Sequence, residues 1–475
     1  MIHRYLVREI KEHRNSPRIY LDNSVLDDAG FQTGVRYSRI VDTANKRLIL
    51  RVDEEGMYRV SGKEVRGKSV PVIDLNSKAA FEPLDGLKAV RIVIQDNMIC
   101  AMPLASEINA RDRLQRLRQH LAEGALVTGS LSHGGGLLDH AAHQGLHEAG
   151  IRASMHMANE IDGDLLEHAS EHNDVWTSGT VGLAAPMQEV VQDEWLMSRL
   201  PKLDILAVGI PCSGASRAGV SKRGLEKMED HPEVGHLVAS CLMMVQRTQP
   251  SLVVIECVKE YQQSASAQIL RQHLRDSGYG VNEVILDGKS FGVLENRTRW
   301  FMVAATQGVS IELENLAPAC TAVKVLGDVL DTISPDDPSW RSFQYLREKE
   351  VRDREKGNGF GMQIVTPEDT QVPVLRKGYF KGGSTDPLLK HPERDDTYRL
   401  FTANEHARIK EHPTQLIEGM SQGKAHALLG QSVLRKPVVA LFRRIGECLQ
   451  QWGNNLTQPQ PQGLQPRYQL ALATG

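Results

Sequence analysis

A thiol beside a proline, a carboxylate ending an apolar strand, and two arginines spaced by two are the side chains here with most chemistry to offer. Cys212 stands in Gly209-Ile210-Pro211-Cys212-Ser213-Gly214-Ala215-Ser216. A thiolate is a strong nucleophile, the proline stiffens its backbone, and the small residues leave room for a flat substrate. A buried structural thiol is the commoner fate of a lone cysteine. Glu256 closes the run Leu252-Val253-Val254-Ile255, and a carboxylate placed there needs a reason. Arg297 and Arg299 precede Trp300-Phe301-Met302-Val303; if the strand starts near Arg297, the period of two puts both on one face. A solvated strand edge is the plainer account of such a pair. Two further groups suit a nucleoside ligand. Ser132-His133-Gly134-Gly135-Gly136 lets backbone approach a ligand closely, and Glu160 can accept both hydroxyls of a ribose. Alone, the first is equally an ordinary loop and the second a surface acid.

The elements that must position these groups alternate. Leu203-Asp204-Ile205-Leu206-Ala207-Val208 and Leu252 to Ile255 are buried-strand candidates. Between them, Val234, Leu237, Val238, Cys241, Leu242 and Val245 recur at helical spacing. Strand, helix, strand predicts a parallel sheet with helices on both faces, whose C-terminal strand ends carry the ligand. Cys212 and Glu256 then open onto one edge, and Cys257 points away from the Glu256 side. Residues 1 to about 105 instead read as short strands: Arg18 to Leu21, Arg47 to Val52 and Val90 to Ile94. Ala110 to His120, with Arg111, Arg113, Arg116 and Arg118, reads as a solvated helix. Residues 307–398 lose the regularity, apart from a charged helix over Arg347 to Lys356. Helical spacing returns from Thr402 to Leu449.

Composition sets the bounds. The 475 residues suggest about three domains at roughly 150 residues each. With 41% hydrophobic and 24% charged residues, the chain has material for cores and is not mostly disordered. Lys+Arg 56 against Asp+Glu 59 gives a net charge of -3, which excludes a polycation but not a local basic groove. No apolar run reaches the roughly 18 residues of a membrane span, and no secretory signal opens the chain. Six scattered cysteines form neither a disulfide framework nor a metal site. The expected setting is the cytoplasm.

Taken in order, these motifs resemble the DNA cytosine-5 methyltransferase family over about Val127 to Leu449. The resemblance runs through the Gly-rich loop at 132–136, Glu160, Pro211-Cys212, Leu237, Glu256-Cys257-Val258 and Arg297-Thr298-Arg299. Arg399-Leu400-Phe401-Thr402 with Glu405, Ala407, Arg408 and Pro413 is similar to the ninth motif of the family, and Gly430-Gln431-Ser432-Val433 to its tenth. The resemblance implies a Rossmann-like, S-adenosylmethionine-dependent α/β catalytic domain with a small target-recognition region and a β-rich N-terminal domain. It implies methyl transfer from S-adenosylmethionine to carbon 5 of a flipped cytosine in double-stranded DNA, with no metal. Cys212 would add to carbon 6, making carbon 5 nucleophilic. Glu256 would hold or protonate ring nitrogen 3, and Arg297 and Arg299 would orient the base. Leu131, Ser132, Gly134, Gly135, Gly136, Glu160, Ile161, Leu237, Gln431 and Val433 would line the cofactor site. Arg376, Lys377, Tyr379 and Lys381 are candidates for DNA contact, with a solvated basic loop as the alternative.

The layout this implies is an accessory β-rich domain over 1–105, a basic helical linker over 106–125 and a catalytic domain over 126–306. A target-recognition region over 307–398, a segment over 399–452 completing the catalytic domain and a disordered tail over 453–475 follow. The sequence departs from the family pattern at Leu131 and His133 in the Gly-rich loop, at Cys257 in place of Asn and at Glu295 in place of Gln. Gln431 stands for Asn, and no acid for adenine is found near Ser178-Gly179-Thr180-Val181. A tRNA cytosine-5 methyltransferase would use the same thiolate and carboxylate, and a catalytically silent DNA-binding relative would tolerate the departures. Both readings stay open on sequence alone. A cognate restriction enzyme, the partner that a restriction-modification role implies, is not readable from the sequence.

Overall fold

The computed structural model describes residues 1–22, 24–211, 228–231, 234–318 and 322–455. Contacts divide the described residues into two compact units, 1–112 and 113–455. In the first, strands Ile2–Glu9, Arg36–Asp42, Arg47–Val52, Tyr58–Arg59, Ala89–Gln95 and Met98–Met102 form an antiparallel six-stranded sheet. A four-stranded sheet accompanies it. Ile19, Leu48, Leu50, Val90, Ile92, Ile94 and Ile99 are buried in one core in this unit.

The second unit is built on a seven-stranded sheet. Its strands are β1 (Ala125–Leu131), β2 (Arg152–Glu160), β3 (Val181–Ala184), β4 (Ile205–Gly209), β5 (Leu252–Val258), β6 (Tyr279–Asp287) and β7 (Thr298–Thr306). The order is β3-β2-β1-β4-β5-β7-β6. The alternation predicts a parallel sheet, and the structure corrects this at one strand: β7 runs antiparallel to both β5 and β6. Only a short turn-bearing connection separates β6 from β7, too short for the crossover that a parallel neighbour needs. Every residue of β5 is buried, because helices cover both faces.

The helices of seven or more residues among the described residues are α1 (Ala105–Glu123), α2 (Leu137–Glu148), α3 (Gly163–His172), α4 (Leu237–Thr248), α5 (Ala265–Asp276), α6 (Gln344–Glu355), α7 (Ala403–Ile409), α8 (Gln422–Gln431) and α9 (Arg435–Asn455). Ala141, Ala142 and Leu146 of α2 share a core with Val438, Leu441, Phe442 and Ile445 of α9, which brings the C-terminal segment back onto the sheet. Helix α9 continues through Gly453 to Asn455, beyond the expected start of the tail; residues 456–475 lie outside the described residues.

The solvated-helix expectation for Ala110 to His120 fails. Arg113 is 1% exposed. It donates from Nε to Thr306 Oγ1 (3.0 Å), from Nη1 to Gln249 Oε1 (2.8 Å) and from Nη2 to the Ser277 carbonyl (2.9 Å), and stacks on Tyr279. Arg116 and His120 both reach the buried carboxylate of Asp204. The charged heads find buried partners, which composition does not reveal.

Candidate active site

At the C-terminal ends of β1, β2, β4 and β5 opens a cavity of about 660 Å³, the place where ligands enter α/β sheets. The end of β1 turns through Ser132 (φ 53), Gly134 (φ 57) and Gly136 (φ 73) into α2. A Cβ on Gly136 would lie 2.4 Å from Asn173 Nδ2 and 2.6 Å from His133 Nε2, so glycine is required there. His133, at the position where the resemblance implies glycine, is buried and takes up this space. The indole N–H of Trp176 donates to its Nε2 (3.2 Å), so Nδ1 is the donor to Asp139 Oδ2 (2.9 Å), which also accepts from Ser130 Oγ (2.7 Å).

Glu160 ends β2 with its carboxylate fixed by three backbone donors. Gly134 N–H donates to Oε2 (2.7 Å), and the N–H groups of Ile161 (2.9 Å) and Asp162 (3.1 Å) donate to Oε1. Each oxygen retains acceptor capacity toward the cavity it lines. Asn159 donates to the carbonyls of Leu183 (2.9 Å) and Ala185 (2.8 Å), tying down the end of β3. There, where an adenine-binding acid is not found in the sequence, Ala185, Pro186, Met187 and Gln188 form the wall.

Strand register explains the other end. Leu252, Val254 and Glu256 of β5 share a sheet face with Arg299, Phe301 and Val303 of β7, and Val258 pairs with Arg299. Arg299 Nε therefore meets Glu256 Oε1 at 2.8 Å. Burial pushes the Glu256 carboxyl above its ordinary range, with Arg299, Arg297 and Lys410 pulling the other way. Cys257 sits on the opposite face, in the core with Val253, Ile255 and Trp300, its thiol 3.5 Å from the Ile210 carbonyl. Gly209, Ile210 and Pro211 bring the chain from β4 to the cavity edge. Cys212, the expected nucleophile, lies outside the described residues.

Of the expected cofactor residues, Ser132, Gly134, Gly135, Glu160, Ile161, Leu237, Gln431 and Val433 line this one cavity together with Glu256 and Arg299. Three expected positions differ. Leu131 is buried in the core beside Met157 and Leu206, because it is still within β1 and points into the sheet's packing. Gly136 stands behind the loop as the residue before α2. Arg297 precedes β7 and is not among the described lining residues. It is 4% exposed, donating from Nη2 to the Gly430 carbonyl (3.2 Å) and lying 3.5 Å from Glu295 Oε1.

Among the expected DNA contacts, Tyr379 is fully buried, its hydroxyl donating to the Pro387 carbonyl (2.9 Å) and accepting from Phe401 N–H (2.9 Å). It is a core residue and not part of the surface. Arg376, Lys377 and Lys381 are exposed; Arg376 lies 3.4 Å from Asp386, and Lys377 lines the cavity. The backbone there abuts α8: a Cβ on Gly430 would lie 2.3 Å from the Arg376 carbonyl carbon and the Lys377 nitrogen. Sequence reasoning missed the His133–Asp139–Trp176 group and Lys410. The unusual His133 in a glycine loop was the only available signal.

No group of three or more metal-ligating side chains occurs among the described residues, and no helix among them is long and apolar enough to cross a membrane.

Comparison with known proteins agrees with this geometry. The family model described as C-5 cytosine-specific DNA methylase matches residues 143–449. The type II methyltransferase M.NlaX of Neisseria lactamica is 26% identical over 257 residues, covering 52% of this chain and 76% of that protein. M.HpaII of Haemophilus parainfluenzae is 28% identical over 269 residues, covering 52% and 73%. The fold is similar to that of the S. pombe Dnmt2 methyltransferase, at a TM-score of 0.51 and 19% identity over 69% of this chain and 99% of the other.

Proposed function

The chain belongs to the family of C-5 cytosine-specific DNA methylases and methylates carbon 5 of cytosine in DNA; we propose that it does so on a flipped base, with S-adenosylmethionine, through a covalent adduct on Cys212. The observation that carries this reading is the single cavity shared by Glu160 at one end and the Glu256–Arg299 pair at the other, with Pro211 at its edge. A nucleoside cofactor fits the donor set. Glu160 is held with acceptor capacity free for ribose hydroxyls, and Ile161, Leu237, Pro186 and Val433 supply apolar walls. When bound, S-adenosylmethionine supplies an electrophilic methyl.

The chain's own groups do the rest. The Cys212 thiolate adds to carbon 6, and the ring's electrons move so that carbon 5 can form a bond to the methyl carbon. Glu256, favoured in its protonated form by burial, donates to ring nitrogen 3 as charge builds there. Arg299 keeps that carboxyl in place and presents its guanidinium to the carbonyl oxygen of the base. Loss of the carbon 5 proton to solvent, return of the nitrogen 3 proton to Glu256 and expulsion of the thiolate then restore the aromatic ring. Residues 307–398 read the target sequence, since the cavity takes one base and cannot sense its neighbours. Arg376, Lys377 and Lys381 are the contacts we assign there.

DNA carrying 5-fluorocytosine at the target tests the adduct, because fluorine cannot leave as a proton does. The expected product is a denaturant-stable complex, dependent on S-adenosylmethionine, absent in Cys212→Ala and retained in Cys257→Ala. Trapping that survives the first change and is lost with the second would reassign the nucleophile.

A further inference from the structure

Just before β7, two opposite charges are entirely buried. Glu295 and Lys410 both have fully inaccessible side chains, with Nζ 2.5 Å from Oε2. The other carboxylate oxygen, Oε1, accepts the Leu375 N–H (3.1 Å) and lies 3.5 Å from Arg297 Nη1. Around it the backbone interlocks: Asn296 N–H donates to the Val372 carbonyl (2.9 Å) and Val372 N–H to the Leu294 carbonyl (2.7 Å). Lys410 closes α7, and its own carbonyl accepts from Arg435 N–H (3.2 Å) at the start of α9. One ion pair thus joins the approach to β7, the segment 371–376 inside the region assigned to sequence reading, and the C-terminal helices.

Stability alone does not account for the pair. Removing two charges from water costs about as much as their attraction returns, and neutral groups of similar size would pack as well. What an ion pair adds is intolerance of misplacement: if segment 371–376 shifts, a carboxylate loses a donor in a site without solvent. Four residues after Glu295, Arg299 grips Glu256.

We infer that Glu295 and Lys410 are positioning residues, whose pairing seats segment 371–376 against the start of β7 and so sets Arg297 and Arg299 relative to Glu256. The inference rests on the reading of Glu256 and Arg299 as the groups that hold the base. Neither Glu295 nor Lys410 borders the cavity among the described lining residues, so an effect on catalysis passes through the arginines and through the charge of Lys410, which draws the Glu256 carboxyl down.

The Lys410 environment adds a pH signature. Glu256, Glu295, Arg297 and Arg299 face it, as do His406 and His412, both of which burial holds far below the ordinary histidine range. Burial, with Arg297, pulls the ammonium down to about 7, against Glu295. As pH rises through that value, Lys410 loses its proton and the pair dissolves.

The test uses the full-length protein and the variants Glu295→Gln, Lys410→Gln and the two combined. Glu295→Gln leaves the Lys410 ammonium without its carboxylate, and Lys410→Gln leaves Glu295 with Arg297, at 3.5 Å, as its remaining cation. Amide exchange at Asn296, Val372 and Leu375 should then speed up by about tenfold, with kcat falling comparably and S-adenosylmethionine affinity unchanged. The double variant, with two amides that can bond each other, should recover both. It should also lack the decline in kcat above pH about 7 that the wild type shows relative to it. If a single variant does not fold, the double variant and the pH comparison still decide. Wild-type exchange and kcat in the single variants, or no recovery in the double, would overturn the inference. Exchange that responds while kcat does not would reduce the pair to a structural feature and overturn it too. Full kcat in Glu256→Gln would instead defeat the base-holding reading, with exchange and recovery still reporting on the pair.

Discussion

Glu256 lies between burial, which favours its neutral form, and Arg299, Arg297 and Lys410, which favour the charged one; burial prevails. A proton held more tightly in the folded than in the unfolded protein ties stability to pH with a definite sign. The folded state binds the extra proton from the ordinary carboxylate value of 4.5 up to the raised one, so stability falls as pH climbs through that window. Glu256→Gln abolishes this proton uptake while keeping an oxygen for Arg299. Thermal melts should show the variant gaining on the wild type as pH increases from 4.5, even as methyl transfer slows by about 10²–10⁴-fold, the range for a lost general acid. Equal pH dependence of the two melting temperatures would remove the protonated carboxyl from the mechanism. Glu256 and its neighbour Cys257 were separable onto opposite faces in sequence because the period of two needs only a strand, although β5 runs on past both to Val258. Leu131, Arg297 and Tyr379 were not legible, since each belongs to a core built by residues far away in the chain. A tyrosine among basic residues looks like a surface residue until Pro387 and Phe401 are folded against it.

Helix α7 shows how an element carries a motif for structural reasons. Thr402 Oγ1 accepts Glu405 N–H (3.1 Å) and Glu405 Oε2 accepts Thr402 N–H (2.8 Å), a reciprocal cap. The same carboxylate takes two 2.7 Å bonds from Arg399, with both side chains almost wholly buried. Arg399, Thr402 and Glu405, all members of the resemblance drawn from sequence, therefore fix the start of α7 and, through it, the position of Lys410. Arg399→Ala strands the Glu405 charge in the interior and should cost about 3–5 kcal/mol in denaturant unfolding, the usual result of breaking a buried pair. A loss under about 1 kcal/mol, typical of an exposed pair, would show that solvent reaches this site. Elements whose apolar period is strong were legible in kind and not to their ends: β5 runs three residues past Ile255 to Val258, and α4 starts at Leu237 where the spacing begins at Val234. The reversed direction of β7 was not legible, because the spacing of Trp300 to Ala304 reads the same either way and only the short link from β6 forbids a crossover.

The first unit poses a question of charge across the molecule. Arg4, Arg8, Lys11 and Arg14 are exposed, while Arg18 is engaged by Asp74 through two 2.8 Å bonds. Two physical roles are available to the four exposed cations. Arg4 and Arg8 lie on Ile2–Glu9, the outermost strand of the six-stranded sheet, where charged side chains discourage pairing with another chain. Alternatively, the cluster neutralises DNA phosphates, which would give a protein of net charge -3 a basic face for a polyanion. The two roles differ in how they respond to salt. Phosphate contacts release counterions, and each one lost lowers the slope of log affinity against log salt by about 0.9. An edge guard leaves that slope alone and shows itself instead as self-association when removed. Replacing Arg4, Arg8, Lys11 and Arg14 by alanine should flatten the slope for DNA binding, with the protein still monodisperse in light scattering. An unaltered slope accompanied by new aggregates would assign the four residues to protection of the sheet edge and leave DNA contact to the second unit.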